Sequence, residues 1–312
     1  MRVVIPGGSG QVGGILARAL TAAGHDVVIL SREARGLAAW DGRTLGPWAS
    51  VIDGAGAVVN LAGRSVNCRY TRANLEAMLA SRVDSTRVVG EAVARAARPP
   101  RVWLQMSTAT IYAHTFGSAH DESTGVIGGG EPGVPAYWSR SVEIAKAWEH
   151  EQWDAKTPST RKVVMRSAMV MSPDRAGIFD VLLALTRRGL GGPAAGGQQY
   201  VSWIHERDFV RAVESLLERE DLSGVFNLAS PNPLPQHELM SELRRASGAR
   251  VGLPATRWML EIGALFLRTD TELLLKSRRV VPGRLLASGF AFQFPEWRAA
   301  VEDLVRRWRS SG

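Results

Sequence analysis

Apolar residues fall into two patterns along the first half of this chain. Arg2 to Ile5, Asp26 to Leu30, Ala57 to Leu61, Val102 to Ser107 and Lys162 to Met165 are short, nearly unbroken apolar runs, as expected of strands buried on both faces. Between them apolar residues recur at helical spacing, most clearly at Val12, Ile15, Leu16, Ala19 and Leu20. This spacing predicts helices near Gln11 to Ala23, Thr71 to Ala97 and Ala136 to Trp153. Such alternation predicts an α/β fold with a doubly wound parallel sheet.

Beyond residue 172 the pattern loosens. Gly177 to Arg188 and Asp208 to Glu218 read as helices, Val201 to Ile204 as a short strand, and Gly224 to Leu228 as a last strand returning to the sheet. Gln236 to Ser247, Thr256 to Leu267, Pro282 to Ser288 and Pro295 to Trp308 read as mostly helical. A sheet domain over 1–172 and a smaller, mainly helical lobe over 173–312 follow from this division. The glycine-rich stretch Gly189 to Gly197 reads as a loop on the substrate side.

The first strand runs directly into Gly7-Gly8-Ser9-Gly10-Gln11-Val12-Gly13, with glycines three apart. Gly7 permits a tight turn, Gly10 lets backbone approach a pyrophosphate, and Gly13 lets the next helix pack close to the sheet. The strand, helix and second strand span about the thirty residues of a dinucleotide-binding unit, which makes the sheet Rossmann-type. Ligands of such sheets lie beyond the carboxyl ends of the strands. That rule gathers Gly7 to Gly13, Ser31-Arg32, Asn60 to Gly63 and Ser107-Thr108 on one rim. An acidic residue closing the second strand selects NAD, whereas cations there accept a 2′-phosphate. This chain has Ser31-Arg32, then Glu33 and Arg35, which favours NADP(H) over NAD(H) through a guanidinium–phosphate contact.

Composition narrows the partners. The net charge of +8 comes from arginine, since only Lys146, Lys156, Lys162 and Lys276 are lysine. The arginines are scattered, without a basic tail or an aromatic-basic stripe, so no nucleic-acid partner is expected. The one cysteine, Cys68, rules out an internal disulfide and a cysteine-rich metal cluster. It suits a reducing cytoplasm. No run of about eighteen apolar residues and no signal segment is present, so a soluble, cytoplasmic protein with no membrane partner is expected. His114 and His120 lack metal-ligand spacing, and no metal is expected.

These segments together resemble an extended, atypical short-chain dehydrogenase/reductase, in particular epimerase-family proteins of the YfcH-like branch. The likeness rests on Gly7 to Gly13, Asn60-Leu61-Ala62-Gly63, Ser81 to Arg87, Ser107 to Tyr112, Gly189 to Pro193 and Val201 to His205. A C-terminal module of unknown function over about 253–308 marks the branch. The resemblance implies a loop, Asn60, Leu61, Ala62 and Gly63, beneath the adenine and ribose, with Ser107 near the nicotinamide. It also implies an oxidoreductase or nucleotide-sugar epimerase-like activity on a small-molecule, nucleotide-linked substrate. Extended members often pair as homodimers through a helix bundle, for which only the long Thr71 to Ala97 and Ala136 to Trp153 patterns speak here.

The superfamily's Tyr-x-x-x-Lys pair is missing. Counted back from Lys146, the tyrosine position falls at Arg140 or Ser141 and the lysine position at Ile144 or Ala145. Thr108 keeps the substrate-binding hydroxyl, and Tyr112 and Tyr137 are the candidate proton donors. Arg166 and His205 are candidate substrate contacts, the histidine alternatively a helix cap beside Asp208. An NADP(H)-dependent oxidoreductase or epimerase and a non-catalytic NADP(H)-binding sensor both fit these residues.

Overall fold

The structure, a computed structural model, describes residues 1–33, 39–261 and 270–310. Six parallel strands form the central sheet: β1 (Arg2–Pro6), β2 (Asp26–Leu30), β3 (Ala57–Asn60), β4 (Val102–Thr108), β5 (Arg161–Ser167) and β9 (Gly224–Leu228). Their spatial order is β2-β1-β3-β4-β5-β9, so successive connections leave β1 toward opposite edges. The resulting crevice opens beyond the carboxyl ends of β1 and β3.

Strand alternation assigns each residue to a face. Val3 and Ile5 pack with Leu104, Val163 and Met165 under α1 (Gln11–Ala22) and α5 (Glu206–Glu218), whose Leu16, Leu20, Phe209 and Val213 complete that layer. Val4, Val58 and Trp103 point the other way, onto Val88, Val89 and Val93 of α2 (Arg72–Arg95). Both faces are covered, which is why these strands read as unbroken apolar runs. The helix α3 (Ser139–Asp154) packs beside α2.

The remaining helices form a second core. Leu183 of α4 (Ile178–Arg187) and Leu239 and Leu243 of α6 (Gln236–Ser247) pack with Trp297, Val301 and Leu304 of the helix Trp297–Ser310. The single strand expected at Val201 to Ile204 is two. Ser202 stands between the two pieces: its hydroxyl donates to the Arg278 carbonyl (2.8 Å) and accepts from the Val280 amide (2.8 Å), while its carbonyl accepts from the Met169 amide (3.4 Å). β7 (Tyr200–Val201) pairs antiparallel with β10 (Leu234–Pro235), while β8 (Trp203–His205) pairs parallel with β6 (Met169–Met171). Of the helix expected over Thr256 to Leu267, residues 257–261 are helical and 262–267 lie outside the described residues, as does Arg35.

Two glycines in the first turn make different demands. A Cβ on Gly13 would lie 2.5 Å from the Gly8 Cα, whereas one on Gly10 would meet nothing nearer than the Gly7 carbonyl at 3.7 Å. Gly13→Ala is expected to destabilise the chain by about 1–3 kcal/mol, and Gly10→Ala by less than about 0.5 kcal/mol. Urea unfolding of the two variants checks this, and equal losses would contradict the packing.

Candidate functional site

The turn after β1 is shaped by backbone contact. Gly7 has φ of +75°, and a Cβ there would sit 2.6 Å from the Ala62 Cα. Helix α1 then begins at Gly10, which provides no side-chain cap, and no acidic residue occupies the first turn. The amides opening a helix have no acceptor within it, and the helix dipole adds positive potential there. The residues Gly7, Gly8, Ser9, Gly10, Gln11, Val12 and Gly13 thus fit a pyrophosphate. Gly10 leaves space toward it.

The neighbouring rim segments are held from below. Asn60, fully buried, accepts from the Ala62 amide (3.1 Å) and donates to Gln105 Oε1 (3.0 Å). It thereby folds Leu61, Ala62 and Gly63 back against Gly7. Ser31 is buried at the end of β2 and Arg32 beside it is exposed, a suitable place for a cation that meets a phosphate from solvent.

A buried polar network crosses the ends of β4, β5 and β9. The Ser107 hydroxyl donates to Glu149 Oε1 (2.6 Å), and Arg166 donates to both oxygens of Glu149 (2.8 and 2.7 Å). Arg166 Nη1 reaches the Tyr112 oxygen (3.0 Å), and the phenol donates to Asn227 Oδ1 (3.0 Å). Bidentate geometry and shared hydrogen bonds compensate the burial of these charges.

Between this network and the C-terminal segment lies a cavity of about 200 Å³. Ser107, Thr108 and Thr110 line it from the end of β4, and Ser141, Ala145 and Trp148 from α3. Tyr70 and Arg82 line it from α2 and the loop before it. Ser141 and Ala145, four residues apart, face the cavity together, whereas Arg140 is exposed and pairs with Glu143. Ile144 lines the cavity as well, so of the positions counted back from Lys146 only Arg140 is turned away from it.

The C-terminal segment backs this wall with charge. Ser141 donates to Glu272 Oε2 (2.5 Å), and Lys276 Nζ lies 3.8 Å from Glu272 Oε1 while donating to the Thr110 carbonyl (2.8 Å). Arg278 donates to Thr110 Oγ1 (3.0 Å). Burial pushes the Glu272 carboxyl up and lowers Lys276 to about 8, the nearby carboxylate opposing the latter shift. Burial, then the charge of Glu272, holds the Tyr70 phenol well above its ordinary range. Tyr70 is thus a hydrogen-bond donor at neutral pH.

Thr108 faces the cavity, its hydroxyl oxygen accepting from the Thr110 amide (3.1 Å). Several expected residues lie elsewhere. Tyr112 and Arg166 belong to the buried network and do not line the cavity, because their polar groups are taken up by Glu149, Asn227 and one another. Tyr137 is 42% exposed and lies 3.3 Å from Thr271 Oγ1. His205 is a helix cap rather than a cleft residue: it is fully buried, accepts from the Arg207 amide (3.1 Å), contacts Asp303 (3.2 Å) and stacks on Phe294. His114 and His120 are engaged in separate backbone contacts.

Sequence reasoning missed Tyr70, Glu272 and Lys276 altogether. The only available signal was two charges four apart flanking Leu273-Leu274-Leu275, which argues for a buried pair. Arg82 stood in a recognised segment without a role.

A Rossmann-type sheet with a glycine turn and a hydroxyl-lined cavity defines the class of this protein. Residues 3–229 match the NAD-dependent epimerase/dehydratase family, to which the chain belongs, and residues 255–304 match a domain of unknown function, DUF1731. The human epimerase family protein SDR39U1 is 31% identical over 98% of this chain and 100% of its own length. Its crystal structure with NADPH (isoform 2) superposes with a TM-score of 0.83 at 28% identity, covering 98% of this chain and 99% of that one. A nucleoside-diphosphate sugar epimerase from Corynebacterium glutamicum gives 0.76 at 25% identity, covering 98% of this chain and 58% of that chain.

His205 sets a pH dependence. Burial, against the pull of Asp303, holds its imidazole below the ordinary value, so the unfolded chain protonates first, near pH 6.5. Folding stability should therefore fall as pH drops below about 6.5. His205→Asn keeps a capping acceptor and should flatten this slope, measured by urea unfolding between pH 7 and 5. An unchanged slope would remove His205 from the account.

Proposed function

We propose that this chain binds NADP(H) and acts as a reductase or epimerase on a small, nucleotide-linked substrate. The observation that carries this reading is the uncapped, acid-free opening of α1 at Gly10, set beside an exposed Arg32 at the end of β2. The NADPH present in the human relative's structure supports it. In this reading the backbone of Gly7 to Gly13 holds the pyrophosphate, Ser31 and Arg32 the 2′-phosphate, and Asn60, Leu61, Ala62 and Gly63 underlie the adenosine. Ser107 lies beside the nicotinamide. Bound there, the cofactor supplies or accepts hydride.

The chain's own part is orientation and exclusion of water. Thr108 positions a substrate oxygen, and Tyr70 donates a hydrogen bond within the same cavity. Residues 1–172 with 224–228 then serve as the dinucleotide domain, and 173–312 as the lobe closing the substrate side. A second cavity, about 520 Å³, lies beyond the helix Glu272–Leu275 and is bounded by His114, Trp138 and Gln199. It offers room for the larger part of a nucleotide-linked sugar. Among the described residues no helix is long and apolar enough to cross a membrane, and the lone Cys68 fits a reducing cytoplasm. A homodimer through α2 and α3 follows from family likeness.

The pairing of Ser141 with Ala145, where tyrosine and lysine are expected, favours a second reading. In it NADP(H) occupancy sets the shape of a sensor without turnover. Nicotinamide fluorescence on titration with NADPH and NADH, then a panel of carbonyl compounds, separates the two. NADPH should bind more tightly, and Arg32→Ala should weaken NADPH by about tenfold while changing NADH by less than about twofold. Equal effects on both nucleotides would overturn the cofactor assignment. Binding without oxidation by any compound would support the sensor.

A further inference from the structure

Arg82 is a cation with no assigned purpose. It projects from α2 into the hydroxyl-lined cavity, its guanidinium 4.8 Å from the Trp148 ring centre. One nitrogen donates to the Met78 carbonyl (3.1 Å) one turn back. Among the described residues no carboxylate forms an ion pair with it. Burial lowers it to about 10, and no carboxylate is among the groups opposing that shift. Other cations near this wall are compensated: Arg166 by Glu149, Lys276 by Glu272. A desolvated guanidinium without a counter-charge is costly. Its remaining N–H donors are satisfied most readily by a ligand.

Its place in the cavity says which part of a ligand. Arg82 shares the wall with Ala145, where the lysine is missing, and with Ser107 at the end of β4. It also abuts the rim loop, since a Cβ on Gly63 would lie 3.3 Å from the Arg82 Cζ. We propose that Arg82 supplies from α2 the cation that α3 lacks, and that its free N–H groups hold the nicotinamide-ribose end of the dinucleotide beside Ser107. This rests on the NADP(H) reading above. The Trp148 ring and the Met78 carbonyl hold the guanidinium in place, and its remaining donors suit ribose hydroxyls. The missing lysine is therefore a relocated charge, which is why Ala145 is tolerated at its usual position.

Two ligands test this. NADPH carries the nicotinamide ribose, whereas adenosine 2′,5′-bisphosphate carries only the adenosine half. Arg82→Met is expected to weaken NADPH about tenfold or more, as for loss of a charged hydrogen bond, while the bisphosphate changes by less than about twofold. Retained bisphosphate affinity also shows that the variant is folded. Arg82→Lys should recover most of the NADPH affinity by restoring a cation. An Arg82→Met protein that binds NADPH like the wild type, or loses both ligands equally, would overturn the proposal. Wild-type protein that binds neither ligand overturns the cofactor reading itself, and that outcome is seen before any variant is made.

Discussion

The backbone of Gly7 lies so close to that of Ala62 that no side chain fits between them, and the geometry of the crevice depends on this contact. It sets the carboxyl ends of β1 and β3 at one level. Gly8 and Gly13 repeat the arrangement one layer above, where α1 meets the turn. Together these approaches aim the opening of α1 across the sheet edge. The potential that would attract a pyrophosphate is thus fixed by the path of the chain, before any charged side chain contributes.

The second support is the polar network joining Ser107, Glu149, Arg166, Tyr112 and Asn227. It ties three strand ends to α3 and so anchors the cavity floor to the sheet. The C-terminal segment contributes Leu273 to the lining and braces the wall from behind through Glu272, Lys276 and Arg278, each held to Thr110 or Ser141. The domain of unknown function is therefore structurally part of the candidate site. Buried charges on both sides are individually expensive. The pairings of Arg166 with Glu149 and of Lys276 with Glu272 offset part of that cost.

The sheet was legible from Val3, Val4, Ile5 and their counterparts because two-sided burial leaves unbroken apolar runs, and the glycines declared the turn because only glycine fits those approaches. The broken strand at Ser202 was not legible, since its two pieces pair with different segments, Leu234–Pro235 and Met169–Met171, both remote in sequence. Tyr112, Arg166 and His205 have the right chemistry for a cleft and stand near strand ends. What decides their place is pairing with Asn227, Glu149 and Asp303, which spacing does not encode. Tyr70 lines the cavity and Glu272 stands behind its wall, from segments far apart in sequence, and Arg82 became meaningful only once no carboxylate was found paired with it among the described residues.

The central claim is that the turn after β1 and the hydroxyl-lined cavity form one continuous dinucleotide site. Hydrogen–deuterium exchange with and without NADPH tests it directly. Binding should slow exchange at the amides of Gly8 to Val12, Leu61 to Gly63 and Ala109 to Ile111, while α6 and the helix Trp297–Ser310 stay unchanged. Protection limited to the C-terminal helices, or absent from the Gly7 turn at saturating NADPH, would contradict the account.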